Sequence, residues 1–107
     1  MKKIDLHLHT VSTVSDRNFT FSMERLKWYV SEGKLDAIAT TNHNVFNHIQ
    51  FCEIQKKLTI KVFPGIEIDV EGTHLLVIAE SDELIDFKER CDRITDVPLR
   101  LRSNGWW

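Results

Sequence analysis

Lys3-Ile4-Asp5-Leu6-His7-Leu8-His9 alternates apolar and polar side chains residue by residue, and a period of two is the mark of a β-strand with one buried face. Residues i and i+2 of a strand project from the same side. His7 and His9 are therefore placed to grip one ion together, with Asp5 expected on the same face. A polar loop from Thr10 to Asn18 follows at once. The histidine pair thus stands at the C-terminal end of its strand, the rim on which α/β proteins assemble their sites.

Beyond that loop, Ser22 is the expected cap of a helix over Met23 to Glu32, with Met23, Leu26 and Val30 on one stripe and Gly33 as its terminator. Leu35 to Thr40 reads as a second strand. Asn44 is the expected cap of a second helix reaching about Lys57, with Val45, Ile49 and Cys52 spaced for one face. Leu58 to Phe63 reads as a third strand, broken at Pro64-Gly65 and resumed over Ile66-Glu67-Ile68-Asp69-Val70. Glu71-Gly72 suits the turn of a hairpin into a strand from His74 to Ala79. Ser81 is the expected cap of a last helix to about Ile94, with Asp82 and Glu83 favourably placed in its first turn. The order β-α-β-α-β-β-α makes this an α/β fold.

The chain has 107 residues, enough for one domain around a single core. With 42% hydrophobic and 28% charged residues its composition is that of a soluble globular protein. A formal net charge of −2 lacks the basic excess of a protein whose affinity rests on phosphate contacts, although a single polynucleotide end in a metal site needs no basic surface. Asp5, His7 and His9 interrupt any apolar leader, so no signal peptide is expected. No apolar run of about 18 residues offers a membrane span. Cys52 and Cys91 lie in helical segments and read as buried, reduced thiols rather than as a disulfide or metal ligands. The cytoplasm is the expected location. The segment Val97 to Trp107 fits no element; its Gly105-Trp106-Trp107 end packs on the domain, packs on another copy, or is a read-through or cloning remnant, and all three readings stay open.

The chemistry concentrates at strand ends. Of five histidines, His7, His9, His43 and His74 all stand there, whereas His48 falls on the outer face of the second helix and reads as surface. Glu67 follows the Pro64-Gly65 break, His74 is expected across the hairpin from Asp69, and Asp16 in the first loop can reach over the same rim. Each of these alone has a blander explanation as a half-exposed strand histidine or a solvated acid. Their arrival at one rim from separate strands does not. Imidazoles mixed with carboxylates form the ligand set of Zn²⁺, Mn²⁺ or Fe²⁺, whereas Mg²⁺ and Ca²⁺ sites are built from oxygen. A bridging carboxylate such as Glu67 can hold two such ions, which would activate a water and clamp the attacking and leaving oxygens of a phosphoester.

These residues resemble a known family. Asp5-Leu6-His7-Leu8-His9-Thr10 resembles the Asp-x-His-x-His-(Ser/Thr) motif of the PHP (polymerase and histidinol phosphatase) domain. Ser15-Asp16 resembles its Ser-Asp-Gly, with Arg17 where glycine is usual. Ala39-Thr40-Thr41-Asn42-His43-Asn44 resembles the Thr-Asp-His stretch, with Asn42 in place of the usual aspartate. Pro64-Gly65-Ile66-Glu67-Ile68 and Thr73-His74-Leu75-Leu76 resemble Pro-Gly-x-Glu and His-x-Leu. The resemblance implies a distorted β/α barrel with up to three divalent transition metal ions at its C-terminal face: His7 and His9 on the first, Glu67 between the first and second, His74 on the second, Asp16 and His43 on the third. Glu67 and His9 are the residues expected to matter most for catalysis.

The family's later motifs are absent, and no histidine follows His74. A whole barrel needs on the order of 200 residues, so the expectation is a partial, truncated barrel: residues 1–96 as its N-terminal half and 97–107 as an irregular tail. Truncation, self-association through an open edge and a partner chain that completes the barrel are the explanations, ranked in that order. The implied activity is hydrolysis of a small phosphoester or a polynucleotide end, probed against two alternatives: a non-catalytic metal-binding or interaction module, and the regulatory front end of a larger nucleic-acid-processing protein.

Overall fold

The structure, a computed structural model, describes residues 1–13 and 18–96. Four strands, β1 (Ile4–Leu8), β2 (Ala37–His43), β3 (Lys61–Val70) and β4 (Thr73–Ile78), form one sheet in the order β1-β2-β3-β4. The first three run parallel and β4 returns antiparallel to β3. Helices α1 (Met23–Gly33) and α2 (His48–Lys57) make the crossovers, and a 3-10 turn (Ser81–Glu83) leads into α3 (Leu84–Thr95). The element order is the expected one, and the curled four-stranded sheet with three helices is half of a barrel.

The helices cover one face. Leu26 of α1, Phe51 and Ile54 of α2, and Phe87, Cys91 and Ile94 of α3 are buried against Ile38, Val62, Ile66 and Ile68 of the central strands. Phe46 ties the layer together, its ring 5.6 Å from Phe51 and 5.0 Å from Phe87. These apolar contacts, rather than helix propensity, hold helices of only 10 to 12 residues that would be marginal in isolation. On the opposite face the outer strands are exposed, Ile4, Leu6 and Leu76 at 55%, 37% and 41%, whereas Ala39, Thr41 and Glu67 in its middle are buried.

Several boundaries differ from expectation, each for a physical reason. Strand β3 runs unbroken through Pro64-Gly65. In an antiparallel ladder, the residues of every second opposed pair exchange both backbone bonds. Ala79 donates its N–H to the Pro64 carbonyl, and proline has no N–H to return, so β4 ends there while β3 continues. Helix α2 is capped by Asn47, whose side chain accepts from the Gln50 N–H at 3.0 Å; Asn44 is engaged elsewhere in a left-handed conformation, φ 57°. Helix α1 ends through Lys34, also left-handed at φ 52°, with Leu35 N–H closing back on Val30 at 3.0 Å, a Schellman-type stop. Ser81 makes no side-chain cap; the chain enters α3 through the 3-10 turn instead. Cys91 is buried as expected, but Cys52 faces outward and is exposed.

Strand β1 holds the largest departure. Asp5 pairs with Ile38 and Leu8 with Thr40, three steps along β1 against two along β2. Leu6 and His7 thus share the place opposite Ala39, a bulge-like insertion that reverses the alternation. Asp5 therefore shares a face with Ile38 on the helix side, not with His7 and His9. Its carboxylate accepts the Tyr29 hydroxyl of α1 and the His7 backbone N–H.

Gly65 lies where three strands crowd: a Cβ there would stand 2.8 Å from the Thr40 carbonyl, 2.9 Å from Thr41 Cγ2 and 3.1 Å from the Val77 carbonyl. Gly65→Ala is expected to destabilise by about 1–3 kcal/mol, the usual range for overpacking; an unchanged urea midpoint would contradict this packing. Burial pushes the Cys91 thiol up to about 12, leaving almost no thiolate at pH 8. Iodoacetamide is expected to label Cys52 alone in the folded protein and both cysteines in urea, read by mass spectrometry.

Candidate metal centre

Strand register delivers the site. His43, at the end of β2, is the partner of Glu67 on β3. Across the β3–β4 hairpin, Asp69 pairs with His74, as the turn at Glu71-Gly72 implied; Gly72 takes the left-handed φ of 82° that this turn requires. Because β4 runs backwards, its beginning lies at the same rim as the ends of the parallel strands. Beyond the insertion in β1, His7 and His9 reach that rim as well. The four rings form a row, with centroids 5.2 Å apart between His7 and His9, 4.5 Å between His9 and His43, and 5.9 Å between His43 and His74.

The row closes on Glu67, which is only 6% exposed. Its Oε1 lies 2.8 Å from His7 Nε2, 2.8 Å from His9 Nε2 and 3.2 Å from His43 Nε2. His74 Nδ1 stands 3.7 Å from Glu67 Oε2 and 2.6 Å from Asp69 Oδ1. Three ring nitrogens on one carboxylate oxygen is a poor hydrogen-bond arrangement, because that oxygen has two lone pairs. It is the arrangement of electron-pair donors facing a shared cation. Two donor groups result, His7 with His9 and Glu67, and His43 with Asp69 and His74, the ligand atoms within each lying no more than 4.8 Å apart. Histidine nitrogens mixed with carboxylate oxygens suit Zn²⁺, Mn²⁺ or Fe²⁺, so these residues are positioned to hold metal.

The surroundings fix the donors. Asn44 uses its left-handed backbone to turn its amide onto Asp69, donating to Asp69 Oδ2 at 3.0 Å and accepting the Asp69 N–H at 2.9 Å. Its own N–H donates to the Glu67 carbonyl at 2.8 Å. Asn42, the departure from the family's aspartate, is buried and accepts the N–H groups of Thr10 and Val11 at 2.6 and 2.8 Å. Its Nδ2 donates to the Thr10 hydroxyl at 3.1 Å, so the amide is engaged on both sides although it carries no charge. The Thr41 hydroxyl accepts the Leu8 N–H at 2.9 Å, so the end of β1 is held from both faces of β2.

The sequence-derived candidates His7, His9, His43, Glu67 and His74 thus come together in one cluster. Asp16 lies outside the described residues. His48 belongs to neither donor group; it is half-buried, its ring 6.3 Å from Phe46. Asp5 is removed from the cluster by the insertion in β1. Its bond to Tyr29, more than burial or the Asp5 charge, raises the tyrosine hydroxyl above its usual range. Two residues were missed, Asp69 and Asn44. Asp69 was detectable: it follows Glu67 by two residues on the same face and opposes His74. Asn44 carried no signal beyond its suitability for a left-handed position.

Burial alone would raise the Glu67 carboxyl, but hydrogen bonds from His7 and His9 and the nearby charges of His43 and His7 outweigh it and hold it below the usual range. At Asp69 the Asn44 hydrogen bond leads, opposed by burial and assisted by the charge and hydrogen bond of His74. Both groups bind protons less well folded than unfolded, so they stabilise the fold fully above the ordinary carboxylate range and lose that contribution as pH falls through their lowered values. Metal-free protein is expected to lose stability below about pH 4, and a Glu67→Gln, Asp69→Asn double variant to show a flatter acid limb in urea titrations between pH 7 and 2; an identical limb would contradict this assignment.

Among the described residues, no helix is long and apolar enough to cross a membrane. No curated protein matches the sequence. The model of the PHP domain family matches residues 5–90, from β1 into α3. With that match spanning most of its length and the donor cluster inside it, the chain belongs to the PHP domain family.

Proposed function

We propose that this chain is a metal-dependent phosphoester hydrolase whose centre is the cluster around Glu67. The observation that carries the reading is the convergence of His7, His9 and His43 on Glu67 Oε1, with His74 bridging towards Asp69. Glu67 belongs to the first donor group yet contacts residues of the second, so it is the natural bridge between two cations. His7 and His9 hold the first with Glu67; His43, Asp69 and His74 hold the second. This grouping departs from the assignment implied by family resemblance, in which His43 serves a third ion with Asp16. Divalent ions held there would acidify a water and neutralise charge on a phosphoryl group.

Among the described residues each group offers three protein donors, which favours a site with positions left for water and substrate over a closed structural one. That count is the argument against the alternative of a purely structural metal module. Exposure runs the same way. His9 and His43 side chains are 25% and 14% exposed while His7 and His74 at the flanks are 53% and 60% exposed, so the centre is firm in the middle and accessible from its sides. Asn44 and Asn42 act as positioning residues, holding Asp69 and the segment after His9. A small phosphomonoester fits better than a long nucleic acid, since the net charge of −2 supplies no basic track.

The assay is turnover of p-nitrophenyl phosphate with added Mn²⁺ or Zn²⁺, alongside metal content by mass spectrometry. His9→Ala and Glu67→Ala are expected to lower turnover by about two orders of magnitude or more, and Asn44→Ala by about tenfold, in line with the cost of disturbing groups around a bound metal. Turnover unchanged in His9→Ala and Glu67→Ala rejects the reading. Stoichiometric metal uptake with no turnover selects the structural module instead.

A further inference from the structure

A second feature adjoins the cluster. Between β1 and the start of α1 lies a cavity of about 310 Å³, at the lower end of the volumes that hold small ligands. His9 is among the residues that line it, and the Nε2 of His9 lies 2.8 Å from Glu67 Oε1. Leu8 and Leu26 line its apolar side, and Phe19, Phe21 and Tyr29 surround it with aromatic surface. Phe19 is 41% exposed, a large ring presented to solvent beside a cavity rather than packed in the core. Arg25 lies at the same cavity, and its guanidinium makes no ion pair or hydrogen bond among the described residues.

We infer that this cavity is the subsite for the organic part of the ester, and that the substrates are phosphomonoesters of a flat aromatic group. The inference rests on the hydrolase reading and names the substrate class of that same centre. A phosphoryl group at the donor cluster leaves its substituent beside His9, and the neighbouring space is lined largely by apolar and aromatic side chains with ample room for a ring. Aromatic side chains recognise flat rings by edge and face contacts as well as by burial. A guanidinium without an ionic partner stacks on such a ring at small desolvation cost. A short aliphatic or strongly hydrated substituent would leave these surfaces unfilled.

The test is binding, which needs no turnover. Zinc-loaded protein is titrated calorimetrically with phenylphosphonate and with methylphosphonate, which share the anionic head and differ in the group offered to the cavity. Phenylphosphonate is expected to bind about tenfold tighter or better, from burial of a single ring. Phe19→Ala and Arg25→Ala, both at exposed positions where folding is not at stake, are each expected to bring the ratio of the two affinities towards one. The ratio isolates the ring contact, because any loss of attraction for the phosphonate charge falls on both ligands alike. Equal affinities in the unaltered protein, or a preference that survives both substitutions, overturn the subsite while leaving the hydrolase reading standing. Failure of both phosphonates to bind overturns the hydrolase reading and the subsite with it.

Discussion

Glu67 is buried with three imidazole nitrogens within 3.2 Å of one oxygen, and this crowding constrains the rest of the molecule. A carboxylate taken out of water demands compensation; here it comes from rings delivered by β1 and β2, with His74 from β4 a little further off. None of those rings could arrive if a strand slipped by one residue, since a slip exchanges the two faces of a sheet. The site and the register of the sheet are therefore one constraint. Gly65 shows how closely that register is enforced: its bare Cα lets β2 and β4 approach β3 from both sides, two residues before Glu67.

The insertion in β1 solves a related problem. Strict alternation would have put Asp5 beside His7 and His9, adding a further acid to a face already carrying Glu67 and Asp69. Instead Asp5 turns to α1, where Tyr29 hydrogen-bonds it, and the extra residue rotates the histidines towards the rim. Such an irregularity is tolerated because the end of β1 is held by side chains rather than by the ladder alone: Thr41 takes Leu8, and Asn42 takes Thr10 and Val11. The Asn42 oxygen accepts these two N–H groups without the charge of the family's usual aspartate.

How much of this the sequence revealed depends on the range over which each feature is decided. Strand order, the His7–His9 pair, Glu67 and the pairing of His74 with Asp69 were legible, because alternation and a two-residue hairpin turn are local patterns. The face taken by Asp5 was not, since it depends on the pairing of β1 with a strand some thirty residues away. Asn44 and Asn47 are equally good helix caps by type; only the demand for Asn44 at Asp69 assigns the role to Asn47. Pro64-Gly65 read as a break because proline cannot complete a ladder, yet the strand it ends is the neighbour. Asp69 was noticed as a marker of register and not as a donor, although the same alternation that selected Glu67 also selects it.

The polar centre and the apolar face share one side of the sheet, and this links stability to chemistry. His7 and His74 stand on the outer strands β1 and β4 and are the most exposed of the clustered histidines. Leu6 and Leu76, on the same two strands, are exposed beside them; Leu76 is the direct partner of Glu67 across the hairpin. Any group that shields these leucines also lowers the dielectric around the flanking histidines, strengthening their interaction with charge. Conversely, water reaching His7 and His74 screens the cations they would hold. Glu67, which is buried, and His43, which is partly buried, supply the fixed part of the centre, whereas its flanks respond to whatever lies against the exposed edges of that face.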